Sequence, residues 1–459
     1  MKTPYRFTLL LGIFTYVVLI IFAALWYRER MLFSDMAFQS FHILRTGALQ
    51  VQSGRFGAAG TQVYPWLAQM MHFPLKGVLL SYSLGHVLYY FFLFLWVMLV
   101  LRQWRWGLAI VLFSVLMTTH TFYWLSEAPQ GLAFLMALLA WMDTKTSIKA
   151  IRWWQWPLFI FGLVTAFYFH PMVLYAMVFC CIWLFFYPST PEKRQLWATG
   201  LVLFGVLFFI KFKLLPLDWY DAMSLSRANA FKELWPNWLD IPSNHDFWAW
   251  IKKDYYLLPI FYLLNIGAMC YLRHWLLALW VVFFPLGYVF LVNIPFHAGD
   301  NQFYLENLYL PLALMVIVPI VFTFEQWKIP PKFIFAGLFA IMVLRLSHIA
   351  QARQQWSVRL TWLEQFMRDN KRSKYIIAEQ TLPKDILHFT WGIPYETLLL
   401  TALKGADSTR LVFQTGDFNP KIDSLSHQKD LFLGTFKNYT FDQLPERYFR
   451  PSKETIYER

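Results

Sequence analysis

An all-α polytopic membrane protein of about eleven transmembrane helices, with a small C-terminal α/β module, is the fold class this sequence predicts. Three observations predict it. Hydrophobic residues make up 58% of the chain and charged residues only 15%, against roughly 25% charged in an ordinary globular protein. Apolar runs near membrane-spanning length recur throughout residues 1–349. From about residue 373 the pattern changes to short strands and a helix.

The apolar runs lie at about 7–27, 77–101, 107–124, 128–142, 154–169, 172–187, 196–215, 255–272, 275–295, 304–324 and 333–349. The first has a basic start, "MKTPYR", and the pair Ala23-Ala24, which weakly resemble a cleaved signal. Its 21 uncharged residues from Phe7 to Tyr27 are long enough to span, so it reads as the first transmembrane helix. His170-Pro171 divides the run 154–187, because proline lacks a backbone donor and restricts the residue before it.

Short loops set the orientation. "RQWRW" (102–106), "DTKTSIKAIRW" (143–153), "PSTPEKRQ" (188–195), Arg273 and "EQWKIPPK" (325–332) carry Lys or Arg, whereas the alternating turns at Glu127, His170 and "FHAGDNQ" (296–302) carry none. The positive-inside rule makes the first set cytoplasmic, along with Lys2 and Arg6. The long loops 28–76 and 216–254, and everything after 350, are then outside.

Composition excludes some classes. The net charge of +13 is dispersed over membrane-flanking loops and the tail, so no nucleic-acid tract exists. Cys180, Cys181 and Cys270 lie within apolar runs and imply no disulfide framework. The 23 Trp, 24 Tyr and 46 Phe suit membrane bundles and their interfacial belts.

Beyond the last run, Trp356, Leu360, Leu363 and Met367 recur at helical spacing among Arg353, Arg359, Arg368, Lys371 and Arg372. Residues 350–372 therefore read either as an amphipathic helix on the outer leaflet or as a plain connector. In 373–459, "SKYIIAEQ", "STRLVFQTGD" and "KDLFLGTF" read as strands and "YETLLLTALK" as a helix.

The first outer loop, 28–76, holds "MLFSDMAFQSFHILRTG". Asp35, Gln39, His42 and Thr46 fall on one helical face and Ala37, Phe41 and Leu44 on the other. The expectation is a surface helix with its apolar face on the membrane, ending near Gly47. A second helix is expected in 60–77, opened by Tyr64-Pro65 and closed by Pro74. Asp35 reads as a helix N-cap, rivalled by Ser34, or as a reactive carboxylate.

A long first outer loop with two surface helices and an acid just after the first span resembles the GT-C class of glycosyltransferases. That class includes the protein O-mannosyltransferases and the lipid A aminoarabinose transferases. The resemblance covers roughly residues 1–350 and is one of layout. It implies a polyprenyl-phosphate-linked sugar donor, a glycan, lipid or protein acceptor, and Asp35 as general base. It also implies a bacterial inner (plasma) membrane with the amino terminus cytoplasmic and the C-terminal module extracytoplasmic. Some members carry paired acids here, whereas "FSDMAF" has one, which favours a lone base over a metal-binding pair.

Inverting transfer needs one carboxylate to take the acceptor proton, and cations to stabilise the departing phosphate. Glu127, His170, His297 and Asp300 share the outer face with Asp35 and His42 and are the substrate-binding candidates. Their plainer readings are a helix-start acid for Glu127, a satisfied carbonyl partner for His170 and a solvated turn for His297 and Asp300. Glu306 and Gln302 belong to the same polar set. Scattered single ligands at His170, His297 and Asp300 are weak grounds for a metal, and none is assigned.

Phosphate candidates are Arg45, Arg55 and Arg345, the last set in the apolar "IMVLRLSH", where snorkelling is the plainer reading. Lys211 and Lys213, at a helix end, read mainly as snorkelling. The Trp-rich loop 216–254 would lie as a lid over the cavity. Two other functions are weighed against transfer, a lipid-linked sugar flippase and a non-catalytic scaffold working through its tail. A flippase would show paired repeats and broken mid-membrane helices, and neither appears.

Overall fold

The computed structural model describes residues 2–187, 190–327 and 329–458. Pro188, Ser189 and Lys328, expected in inner loops, lie outside the described residues, as do Met1 and Arg459. The molecule is 71% helical with little sheet, the architecture of an all-α membrane protein. Each of the eleven apolar runs contains a helix. Six helices are long and apolar enough to cross a bilayer: Thr3–Leu25, Leu75–Val100, Pro191–Leu214, Trp275–Asn293, Gln302–Gln326 and Pro331–Asp369. The others, Trp104–Leu116, Glu127–Asp143, Gln155–Phe167, Val173–Phe186 and Leu257–Tyr271, are shorter.

Gln302–Gln326 is enclosed along its length by its neighbours and forms the centre of the bundle. It packs against Trp104–Leu116, Glu127–Asp143, Val173–Phe186, Leu257–Tyr271 and Trp275–Asn293. A helix apolar all round is expected to be buried in this way. Its N-terminal end, residues 303–308, therefore lies on the bundle axis.

The apolar run 107–124 does not stay helical. Its helix stops at Leu116, and residues 117–126 cross as irregular chain. Sequence periodicity gave no sign of this break. Its cause is a buried carboxylate on the central helix, described below.

The first surface helix spans Ser34–Thr46 and ends at Gly47, whose left-handed φ of 65° closes it. The second spans Ala59–Met70 and contains Pro65 rather than starting at it. Phe41, expected to face lipid, instead packs against Tyr395, Phe432, Tyr439 and Phe449 of the tail at ring separations of 5.3, 5.3, 5.5 and 6.2 Å. Ala37 and Leu44 are buried in the same cluster. The tail supplies the cover that the sequence assigned to the membrane.

The last helix runs unbroken for 39 residues, Pro331–Asp369, close to 60 Å at about 1.5 Å per residue. Residues 350–369 thus extend the final apolar helix. Leu360, Leu363 and Met367 are buried with the tail core and Trp356 with the membrane core, so this stripe faces protein.

In the tail, β1 (Lys374–Ala378) and β2 (Leu411–Thr415) pair in parallel, Lys374 opposite Leu411, and the helix Ile393–Ala402 lies between them in sequence. A parallel pair requires such a crossover. β3 (Leu431–Phe432) and β4 (Tyr439–Thr440) form a small antiparallel pair.

The tail is fastened where the first surface helix begins. Arg359 and Glu396 form an ion pair that is almost wholly enclosed. Glu396 also accepts the backbone N–H of Ser34 at 2.7 Å, and the Arg359 guanidinium lies 4.5 Å above the Phe33 ring. Gly392 permits this approach, since a Cβ there would stand 2.5 Å from Ser34 Cα. Removing one partner strands a buried charge, which costs about 3–5 kcal/mol, whereas apolar replacement of both is much milder. Glu396→Ala is therefore expected to lower the thermal midpoint in detergent far more than the double variant Arg359→Met/Glu396→Leu. Equal losses would show that the charges are not coupled.

Candidate functional site

Residues 117–126 leave the helix because their N–H groups find an acceptor elsewhere. The Glu306 carboxylate, fully buried on the central helix, accepts from the backbones of Thr119 (2.9 Å), His120 (3.1 Å) and Thr121 (2.8 Å). It also accepts from the hydroxyls of Thr121 and Tyr255, both at 2.6 Å. A buried carboxylate is tolerated when hydrogen bonds satisfy it in this number.

Arg345 holds the other side of the segment. Its guanidinium donates to Val115 O (2.9 Å), Asp254 O (2.6 Å) and Thr119 Oγ1 (2.6 Å). It is fully buried and spent on these acceptors. The sequence offered this residue as a phosphate ligand or a snorkelling cation; it is instead held by two carbonyls and a hydroxyl and does not line the cavity described next.

So held, the segment delivers Trp124, whose Nε1–H donates to Asp35 Oδ2 at 2.7 Å. Two residues on, Ser126 caps the helix Glu127–Asp143 by accepting from Ala128 N–H at 3.3 Å, and its hydroxyl donates to Asn307 Oδ1 at 2.9 Å. Asn307 Nδ2 is buried and has no hydrogen-bond partner.

These groups line a cavity of about 720 Å³ whose walls include Asp35, Arg55, Glu127, His170, Asp218 and Asn307. Its volume is in the range of small-molecule sites. Four of the residues singled out in the sequence meet here: Asp35, Arg55, Glu127 and His170. Arg55 Nη1 lies 3.7 Å from Glu127 Oε2, so Glu127 both opens a helix and faces a cation. His170 Nδ1 accepts the Met172 N–H at 3.2 Å, which leaves the ring proton of the neutral form on Nε2. Burial, then Arg55 and Lys211, hold that imidazole well below its usual range, so it acts as a neutral donor.

Asp35 is half-buried. Withdrawal from water pushes its carboxyl up to about 6; the Trp124 N–H and Arg55 oppose the rise, and Glu127 adds to it.

The remaining candidates lie elsewhere. His42 is enclosed by the rings of Phe38, Phe41, Tyr395 and Tyr439, and burial, then Arg45 and Lys437, lower it to about 4. Arg45 stacks 4.6 Å over Tyr439. His297 is exposed; its carbonyl accepts the Ser243 N–H at 3.2 Å. Asp300, also exposed, accepts the Asn301 N–H at 2.7 Å. Lys211, expected to snorkel, pairs with buried Asp221 at 2.7 Å and so ties the helix Trp219–Ser226 to the end of Pro191–Leu214. Asp218 and Trp219 of that loop do line the cavity. Among the described residues no group of three or more His, Cys, Asp or Glu is placed to hold a metal ion.

Sequence reasoning missed Trp124, Asn307 and the tail rings of Phe389, Trp391 and Phe436, which also line the cavity. Trp124 carried a faint signal, an indole three residues before Glu127 at an outer turn. No family model, curated protein or solved structure matches the chain.

Two outcomes follow from this geometry. The folded Asp35 carboxyl titrates above its ordinary value of 3.8, so its stabilising contribution is complete below about pH 4 and is lost as pH rises through about 6. Asp35→Asn keeps an acceptor for Trp124 and should gain on the wild type as pH rises from about 4 to about 6, by on the order of 1–3 kcal/mol, and hold that gain above it. Thermal unfolding across that range measures it, and a wild type that gains on the variant contradicts the assignment. Glu306→Gln turns an N–H group toward backbone donors and should cost about 2–4 kcal/mol. Faster hydrogen exchange at Thr119–Thr121 would mark the released segment.

Proposed function

We propose that this protein is a GT-C-like membrane glycosyltransferase. It moves a sugar from a polyprenyl-phosphate donor to an acceptor hydroxyl on the extracytoplasmic side. In this reading all eleven apolar helices cross or enter the bilayer, the amino terminus is cytoplasmic, and the tail is an outer α/β module on a bacterial inner membrane. The observation that carries the reading is Asp35, a carboxylate raised to about 6 and facing a 720 Å³ cavity that also holds Arg55 and His170.

The chemistry asks little more. Asp35 accepts the proton of the acceptor O–H as that oxygen attacks the anomeric carbon from the face opposite the phosphate. The carbon–oxygen bond to phosphate breaks, inverting the centre, and the electron pair leaves on the phosphate. Arg55 and the His170 Nε2–H stabilise that charge, and Glu127 holds Arg55 in place. Trp124 keeps the Asp35 carboxylate turned into the cavity. No general acid is needed, because phosphate leaves as an anion.

A proton acceptor must be ionised, so transfer should fall tenfold per pH unit below about 6 and level off above it. Asp35→Asn should lose about 10²–10⁴-fold and the pH dependence with it. The assay is transfer from a polyprenyl-phosphate sugar in reconstituted vesicles. Wild-type rates in the Asn variant would remove Asp35 from the chemistry.

A further inference from the structure

The cavity lining holds two unlike clusters. Arg55 faces Glu127, and His170 and Asp218 line the same space. The other cluster is aromatic and comes mostly from the tail. Phe38 lies one helical turn beyond Asp35, with its ring 6.1 Å from Trp391 and 5.6 Å from Phe436, and those two rings are 5.4 Å apart. All three line the cavity. Phe436 is 66% exposed, although it sits on a short β3–β4 connection where a polar residue would serve. The neighbouring Thr435 hydroxyl donates to the Trp391 carbonyl at 2.5 Å, which fixes the two rings relative to each other. Folding buries Phe432 and Tyr439 on either side and leaves Phe436 out.

We infer that this aromatic bay is the acceptor subsite and that the acceptor is a carbohydrate whose ring stacks on Trp391 and Phe436 beside Asp35. A pyranose carries an apolar C–H face for aromatic rings and an edge of hydroxyls for polar groups. The cavity offers that pairing: the rings of Phe38, Trp391 and Phe436 and the Asp35 carboxylate line the same space. An isoprenoid chain fits less well. The bay's rings come from the first surface helix and the tail, both outside the apolar runs, so the occupant arrives from water. The inference rests on the transfer reading, since it assumes that the hydroxyl beside Asp35 is the one glycosylated.

The test uses the full-length Asp35→Asn protein in nanodiscs, so that binding is read without turnover. A panel of fluorescent oligosaccharides of varied monosaccharide composition is titrated, and farnesyl phosphate separately. The expected result is that at least one glycan binds. Trp391→Ala and Phe436→Ala, added singly, should each weaken it about tenfold, while farnesyl phosphate affinity and the thermal midpoint stay unchanged. Phe436→Ala removes an exposed ring and keeps the test open should Trp391→Ala fail to fold. If no glycan in the panel binds, or if one binds and neither substitution weakens it, the inference is overturned. Loss of farnesyl phosphate instead would make the bay a lipid-chain site and overturn it equally. Failure of the transfer reading looks different: glycan binding would survive in an enzyme whose rate ignores Asp35.

Discussion

A single buried carboxylate organises the chain around the cavity. Glu306 stands near the N-terminal end of the central helix and gathers three successive backbone N–H groups and two hydroxyls. In an apolar surrounding such donors cannot be left unpaired. The chain can therefore abandon the helix after Leu116 without exposing bare backbone. Thr119 ties this to the opposite charge, giving its N–H to Glu306 and accepting from Arg345. The turn that follows carries Trp124 to Asp35 and Ser126 to Asn307. Without Glu306 and Arg345, the indole that orients Asp35 has no fixed position.

A second clamp approaches from the tail. Arg359, on the long last helix, and Glu396 meet at the first residues of the surface helix, and the Ser34 N–H is donated to Glu396. Asp35 is the next residue. It is thus held between a membrane-side clamp acting through Trp124 and a tail-side clamp acting through Ser34. Polar networks of this kind specify one arrangement when every member is satisfied, and here the arrangement leaves one carboxylate facing open space.

Much of this was legible in the residues. Each of the eleven apolar runs holds a helix, because long stretches without charge leave the backbone little else with which to satisfy itself. Only 117–124, which meets Glu306, departs from this. Gly47 marked the end of the surface helix, and Glu127 and His170-Pro171 marked where one apolar helix gives way to the next. What failed to show has a common cause. Periodicity reveals that a helix has an apolar face but not what covers it, so Phe41 was assigned to lipid and Leu363 was left between lipid and a connector, and both are covered by protein. A charge in an apolar stretch signals cost, and cost is met equally by a ligand or by carbonyls. Arg345 proved to be the second case and Arg55 the cation at the cavity. The tail rings could not be read at all, because they reach the site only through contacts hundreds of residues apart.

That last separation bears on how the protein is made. The bond from Ser34 to Glu396 joins residues 362 positions apart. Most of the membrane helices enter the bilayer while Asp35 still lacks its neighbour's partner and the roof of its cavity. The nascent chain therefore lacks this contact until the helix Ile393–Ala402 has emerged and docked, within about the last seventh of the chain.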